Sequence, residues 1–91
     1  MQEKKWRVEF SKSAFKHLKK LEDKTAQKIL DNLQKLEEWE NPLLRQDIRP
    51  LVGQLKGFYR LRIGNMRIIF ELDRNNKRIG VQAIVPRGNA Y

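Results

Sequence analysis

The first quarter of the chain changes from a strand-like to a helix-like hydrophobic pattern. Residues 6–10, Trp-Arg-Val-Glu-Phe, alternate apolar and polar side chains, which predicts a half-buried β-strand. Ser11 follows, and its hydroxyl can cap the first turn of a helix. The apolar residues that then recur at helical spacing are Ala14, Phe15, Leu18 and Leu21. This pattern predicts an amphipathic helix of about three turns.

A second helical stripe begins two or three residues after the first helix ends. Its apolar residues are Ala26, Ile29, Leu30, Leu33 and Leu36. Because so short a link forces two helices to lie antiparallel, the pattern predicts a helical hairpin that ends near Trp39, before Pro42. Residues 40–56 show no clear period and are predicted to form a long loop.

The last third of the chain has a pattern typical of a β-meander. Residues 58–63 and 66–72 are rich in β-forming residues and are separated by Gly64-Asn65, which indicates a hairpin. A turn over residues 73–77 leads to a third run, 78–85. The order β-α-α-β-β-β predicts an α+β fold, with a four-stranded, mainly antiparallel sheet and the N-terminal helical hairpin on one face. With 91 residues, we expect one domain over 1–91.

The hairpin turn also predicts which side chains share a face. With Gly64-Asn65 as the turn, Arg62 lies opposite Arg67, and Arg60 lies diagonal to Arg67 on the same face. Like charges that face each other are destabilising. An anion such as a phosphate would offset this repulsion, because two of its oxygens can accept the parallel N–H bonds of a guanidinium group. Alternatively the arginines splay into water, with Glu71 paired to Arg60.

Charge and composition narrow the functional classes. Lys and Arg number 20 against 11 Asp and Glu, a net charge of +9, which indicates a polyanionic partner. The chain has no Cys and one His, so thiol chemistry, a histidine pair and a metal site are not expected. It also lacks the apolar runs of a signal peptide or a membrane span, so we predict a cytoplasmic protein with no membrane contact.

Two further groups of residues are candidates for nucleic-acid contact. The first is the set of helix lysines, which would supply salt-sensitive phosphate contacts or simply form a solvated face: Lys12, Lys16, Lys19 and Lys20. The second is the C-terminal segment, where Arg87 directly follows the last predicted strand and Tyr91 could stack on a base. A frayed terminus is the alternative for this segment.

Two stretches of the sequence resemble the RelE/ParE toxin superfamily of toxin–antitoxin systems. They are the segment 55–70, with its hairpin Leu-Arg-Ile-Gly-Asn-Met-Arg-Ile-Ile-Phe, and the ending 86–91, Pro-Arg-Gly-Asn-Ala-Tyr. The opening strand and helical hairpin agree in order and length. The Arg-Gly-Asn-Ala-Tyr ending favours the RelE branch over ParE.

This resemblance implies a ribosome-dependent endoribonuclease that cuts mRNA in the A site and inhibits translation. The 2′-OH would attack the adjacent phosphate to give a 2′,3′-cyclic phosphate, without metal or cofactor. The implied partners are the ribosome with its mRNA, whose rRNA the helix lysines would contact, and a RelB-like antitoxin. Arg67 matches the arginine that braces the scissile phosphate, Arg87 the one that stabilises the phosphorane, and Tyr91 the base-stacking tyrosine.

The sequence departs from the family at two positions of the implied site. Arg60 and Arg62 stand where several well-known members carry lysines. Because an arginine does not give up its proton in a protein, neither residue can serve as a general base. Either catalysis is mainly electrostatic and orientational, which we favour, or Lys56 supplies the proton chemistry.

Two other functions are compatible with the same residues. One is a ParE-like inhibitor of DNA gyrase, with the same fold and no nuclease activity. The other is a catalytically silent nucleic-acid-binding module that uses the basic sheet face.

Overall fold

A five-stranded sheet forms the centre of the protein in a computed structural model that describes residues 4–86. Its strands are β1 (Arg7–Phe10), β2 (Ile48–Pro50), β3 (Tyr59–Ile63), β4 (Met66–Asp73) and β5 (Arg78–Pro86). They lie in the order β1-β5-β4-β3-β2. Strand β1 runs parallel to β5, and the other neighbouring pairs are antiparallel.

Two helices connect β1 to the rest of the sheet. They are α1 (Lys12–Lys20) and α2 (Asp23–Leu36), separated by two residues. The predicted cap of α1 is confirmed, because the Ser11 Oγ accepts a hydrogen bond from the Ala14 N–H at 3.0 Å. The same hydroxyl donates to the Gln82 carbonyl oxygen at 3.0 Å, so it also ties the start of α1 to β5.

The helical hairpin packs on one face of the sheet, and the main core lies between the two layers. Helix residues such as Leu18, Ile29 and Leu33 are buried there against Ile68 and Phe70 of β4. The predicted α+β fold is therefore confirmed. Phe15, predicted in the apolar stripe of α1, is instead 50% exposed, because Ala14 and Leu18 are the α1 residues that reach the core.

The predicted strand number was too low by one. The additional strand is β2, which lies within the segment 40–56 predicted as a loop and pairs antiparallel with β3 at the edge of the sheet. It spans three residues, which is too short to show an alternating pattern. Its last residue is Pro50, which an edge strand tolerates.

Glu37 covers the outer side of β1. The Glu37 side chain is 9% exposed, and its Oε2 accepts a hydrogen bond from the Val8 N–H at 2.8 Å. The Glu37 carbonyl oxygen accepts from the N–H groups of Lys5 at 2.7 Å and Trp6 at 2.9 Å. These bonds satisfy one donor of β1 and two donors just before it, which would otherwise be open to pairing with another chain.

Within residues 4–86, no helix is both long enough and apolar enough to cross a membrane.

Replacing Glu37 with Ala should destabilise the protein, because the Val8 N–H would lose its acceptor. We expect the free energy of unfolding to fall by about 1–3 kcal/mol in urea denaturation. Glu38→Ala removes the same charge one residue further along and should change this free energy by less than about 0.5 kcal/mol. Equal losses in the two variants would contradict the role given to the Glu37 carboxylate.

Candidate functional site

The β3–β4 hairpin has the register that the sequence predicts. Gly64 takes a positive φ of 56° at the first turn position, a conformation that glycine adopts without steric cost. Arg62 therefore lies opposite Arg67, and Arg60 opposite Ile69. These side chains project from the face of the sheet that the helices leave uncovered.

Strand β2 adds a fourth arginine to this face. Arg49 is the register partner of Arg60, so two rows of side chains cross the sheet, Arg49–Arg60 and Arg62–Arg67. We call these four residues the arginine cluster. Sequence reasoning missed Arg49 because the short strand that carries it has no period of its own. The only sequence signal was the Ile-Arg-Pro segment before β3.

A small second apolar cluster lies beside the arginine cluster on the same face. It contains Ile69, Ala83 and Val85, with Leu51 and Phe58 packed against them. Ala83 and Val85 reach this face because of an irregularity in the β4–β5 pairing: Ile69 pairs with Ala83, but Phe70 pairs with Val81. Gln82 is the extra residue, and such a bulge reverses the faces of the residues that follow it.

The guanidinium groups of the cluster make few contacts with acceptors of the protein. Within residues 4–86, the Nε atoms of Arg60 and Arg67 are buried without a hydrogen-bond partner. Arg49 donates to the backbone oxygens of Gln46 at 2.7 Å and Ile48 at 3.1 Å. Glu71 lies 4.0 Å from Arg78, so the alternative pairing of Glu71 with Arg60 is not what the structure contains.

Within the described part of the chain, no carboxylate forms an ion pair with the arginine cluster, so its members repel one another. Burial, and then the charges of Arg62, Arg67 and Arg49, lower the pKa of the Arg60 guanidinium. Arginine nevertheless stays protonated near neutral pH. An anion on this face would relieve the repulsion and fill the unused donors of the guanidinium groups.

A shallow depression of about 270 Å³ opens beside the cluster. Its lining residues are Gln46, Asp47, Arg49, Arg60 and Arg62. It is polar and open, which suits an extended, charged chain rather than a small apolar ligand.

The predicted lysine contacts lie apart from the arginine cluster. Lys12, Lys16, Lys19 and Lys20 are exposed on α1, in the layer on the opposite face of the sheet. Lys19 lies 5.4 Å from the centre of the Phe15 ring. Lys56 is exposed and follows the short helical turn Gly53–Leu55 on the approach to β3.

Two predicted site residues, Arg87 and Tyr91, lie outside the described residues. Strand β5 ends at Pro86, the register partner of Met66, and Val85 is the register partner of Arg67. The last described residue of the chain is therefore next to the arginine cluster. Within residues 4–86, no three carboxylate or histidine side chains gather in a way that could hold a metal ion.

Comparison with known proteins identifies a family. A family model described as the ParE toxin of a type II toxin–antitoxin system, parDE, matches residues 8–91. The archaeal RelE–RelB complex from Pyrococcus horikoshii OT3 contains a chain of 30% identity, with a TM-score of 0.77 over 94% of this chain and 99% of that chain. The chain belongs to the RelE/ParE toxin superfamily. It is a toxin of a type II toxin–antitoxin system.

Two bacterial structures share the RelE-like fold at lower identity. A chain of the RelBE2 toxin–antitoxin complex from Mycobacterium tuberculosis has 19% identity and a TM-score of 0.76, over 90% of this chain and 98% of that one. A chain of the YoeB–YefM complex from Staphylococcus aureus has 23% identity and a TM-score of 0.71, over 94% and 98%. No curated protein sequence matches the chain.

Removing one charge from the arginine cluster should stabilise the isolated toxin, because Arg62 and Arg67 repel each other. We expect Arg62→Gln to raise the free energy of unfolding by about 0.5 kcal/mol at low salt. The gain should shrink as salt screens the repulsion. Arg74→Gln removes the same charge at the exposed β4–β5 turn and should have no such effect. An Arg62 variant less stable than the Arg74 variant would contradict the account.

Proposed function

We propose that this toxin is a ribosome-dependent endoribonuclease that cuts mRNA in the A site. The observation that carries the proposal is the arginine cluster, which gathers four like charges on one open face. Among the described residues, the Nε atoms of Arg60 and Arg67 have no hydrogen-bond partner. A phosphodiester would supply the missing negative charge and the missing acceptors.

The reaction needs no group beyond the RNA itself as nucleophile. The 2′-oxygen attacks the adjacent phosphorus, the bond from phosphorus to the 5′-oxygen breaks, and a 2′,3′-cyclic phosphate and a 5′-OH result. The nucleophile loses a proton and the leaving oxygen gains one. The negative charge that builds up on the phosphorane is the species that preorganised cationic donors stabilise best.

The proposed roles follow the position of each residue. Arg67, in the middle of the face, braces the scissile phosphate, and its neighbours Arg60, Arg62 and Arg49 hold the adjoining backbone. Arg87 follows directly after β5 in the sequence and stabilises the phosphorane. Tyr91 stacks on a base of the mRNA, which orients the nucleotide for in-line attack.

Proton transfer is not assigned to the arginine cluster. A guanidinium group cannot accept the proton of the 2′-OH at neutral pH. Catalysis therefore rests mainly on charge stabilisation and on alignment of the 2′-OH with the phosphorus. Lys56 contributes charge to RNA binding in this scheme and does not act as the base.

In this proposal, the ribosome supplies the control of RNA geometry that the shallow site lacks. An open depression of about 270 Å³ does not enclose RNA and cannot force a flexible single strand into an in-line geometry. We propose that the ribosome holds the mRNA in that geometry. The lysines on α1, on the opposite layer from the arginine cluster, bind rRNA phosphates at the same time.

The proposed inhibitor of the toxin is a RelB-like antitoxin. The structures from P. horikoshii and M. tuberculosis described above are toxin–antitoxin complexes. With a net charge of +9, this chain favours an acidic partner, and an amphipathic helix would cover apolar and basic surface together. Co-expression with such a partner should suppress toxicity.

Inhibition of DNA gyrase is the second candidate, because the family model that matches the chain carries the name ParE. The two functions predict different first effects after induction in cells. A nuclease arrests translation within minutes while DNA stays intact. A gyrase inhibitor induces the DNA damage response first.

Replacing Arg67 with Ala should lower the rate of mRNA cleavage on programmed ribosomes by at least about 100-fold, the scale expected for one transition-state donor. Arg87→Ala should have a similar effect for the same reason. Arg74→Ala, at the β4–β5 turn, is the matched control and should cleave at the wild-type rate. If Arg67→Ala kept the wild-type rate, Arg67 would have no part in the reaction.

Replacing Lys56 with Arg tests whether this residue carries the proton. The variant keeps the positive charge but cannot act as a base near neutral pH. We expect the single-turnover cleavage rate to stay within about threefold of wild type, because binding needs only the charge. A loss of at least about 100-fold, with mRNA affinity unchanged, would instead identify Lys56 as the general base.

A further inference from the structure

Arg45 links α2 to the segment that leads into β2, the strand that carries Arg49 of the arginine cluster. Its side chain is 16% exposed. One Nη donates to the Asn32 carbonyl oxygen at 3.2 Å and the other to the Asn32 Oδ1 at 2.5 Å. Arg45 Nε lies 2.9 Å from Asp47 Oδ1. A single guanidinium therefore holds α2, through Asn32, and the Asp47 carboxylate just before β2.

Asp47 is a negative charge placed within the arginine depression. Among the described residues that line this depression, it is the only acidic one. Its carbonyl oxygen accepts from the Arg62 N–H at 3.4 Å, so its backbone is anchored beside β3. In the described part of the chain, the Asp47 carboxylate forms an ion pair with Arg45 and with no member of the arginine cluster.

The contact between Arg45 and Asp47 is electrostatic. Asp47 Oδ1 is buried and receives no hydrogen bond within residues 4–86, although Arg45 Nε lies close by. A carboxylate without a hydrogen bond is free to pair elsewhere once its counter-charge is removed. Three guanidinium groups that could take the place of Arg45 line the same depression: those of Arg49, Arg60 and Arg62.

We propose that Arg45 is a positioning residue that holds the Asp47 carboxylate toward α2 and so keeps the arginine cluster open to a phosphodiester. Asp47 is then an internal competitor for the same guanidinium groups, and its charge sets how tightly RNA binds. The inference rests on the proposed function, since it takes the cluster as the site of the RNA backbone.

The test measures binding without cleavage. The probe is a fluorescein-labelled 2′-O-methyl RNA hexamer, which has no free 2′-OH and cannot be cut, titrated with the full chain by fluorescence anisotropy at fixed low ionic strength. The variants are Arg45→Met, Asp47→Asn and the double variant. Two control variants make the same charge changes away from the depression. Arg78→Met removes an arginine paired with Glu9 and Asp73, and Asp31→Asn removes a carboxylate on α2.

We expect Arg45→Met to raise the Kd for the hexamer about fivefold or more, because the released Asp47 pairs with the cluster. Arg78→Met should stay within about twofold of wild type, since nonspecific charge loss alone is a weak effect. Asp47→Asn should lower the Kd more than Asp31→Asn. The double variant should bind at least as tightly as wild type, and this rescue is not expected if Arg45 only stabilises the fold.

Any of three results would overturn the inference. One is a double variant that binds as weakly as Arg45→Met, which would make Arg45 a structural residue. The second is an equal effect of Arg45→Met and Arg78→Met. The third is no measurable binding of the hexamer to any variant. Failure of the proposed function has a separate signature, because a toxin that leaves mRNA uncut on ribosomes could still show the rescue in the binding assay.

Discussion

The structure depends on the register of the β3–β4 hairpin. The Gly64-Asn65 turn sets this register, and a shift of one residue would exchange the two faces of both strands. In the register present, Leu61, Ile68 and Phe70 are buried under the helices, while Arg60, Arg62 and Arg67 share the open face. The same turn therefore fixes the core and brings together like charges whose repulsion the fold must tolerate.

The neighbouring strands determine what surrounds the arginines on the open face of this hairpin. On the open face, the bulge at Gln82 turns Ala83 and Val85 toward Ile69, so the part of this face on the β5 side of the arginine cluster is apolar. At the edge beside β3, β2 contributes Arg49, and the segment just before β2 is tied to α2 through the Arg45–Asn32 hydrogen bonds. Most of the described ion pairs between arginine and a carboxylate lie at the start of β5, where Arg78 contacts Glu9 and Asp73.

The elements that could be predicted from the sequence are those whose hydrophobic pattern repeats over more than one period. The two helical stripes, the hairpin and the opposition of Arg62 and Arg67 follow from spacing and turn chemistry alone, and the structure has all of them. Sequence reasoning missed β2, because three residues ending in Pro50 carry no alternation. With β2 it missed Arg49 and the Arg45–Asp47 pair, which depend on contacts between segments far apart in the chain. Phe15 shows the same limit, since helical spacing alone does not say which residues of an apolar stripe reach the core.

The central claim is that the arginine cluster acts on an RNA phosphodiester held by the ribosome. The most direct measurement is primer extension on an mRNA incubated with the toxin and programmed ribosomes, beside the same mRNA without ribosomes, together with analysis of the new 3′ end. The account predicts a cut inside the A-site codon only in the presence of ribosomes, with a 2′,3′-cyclic phosphate at the new end. Intact mRNA in both reactions, with active toxin confirmed by growth arrest in cells, would contradict it.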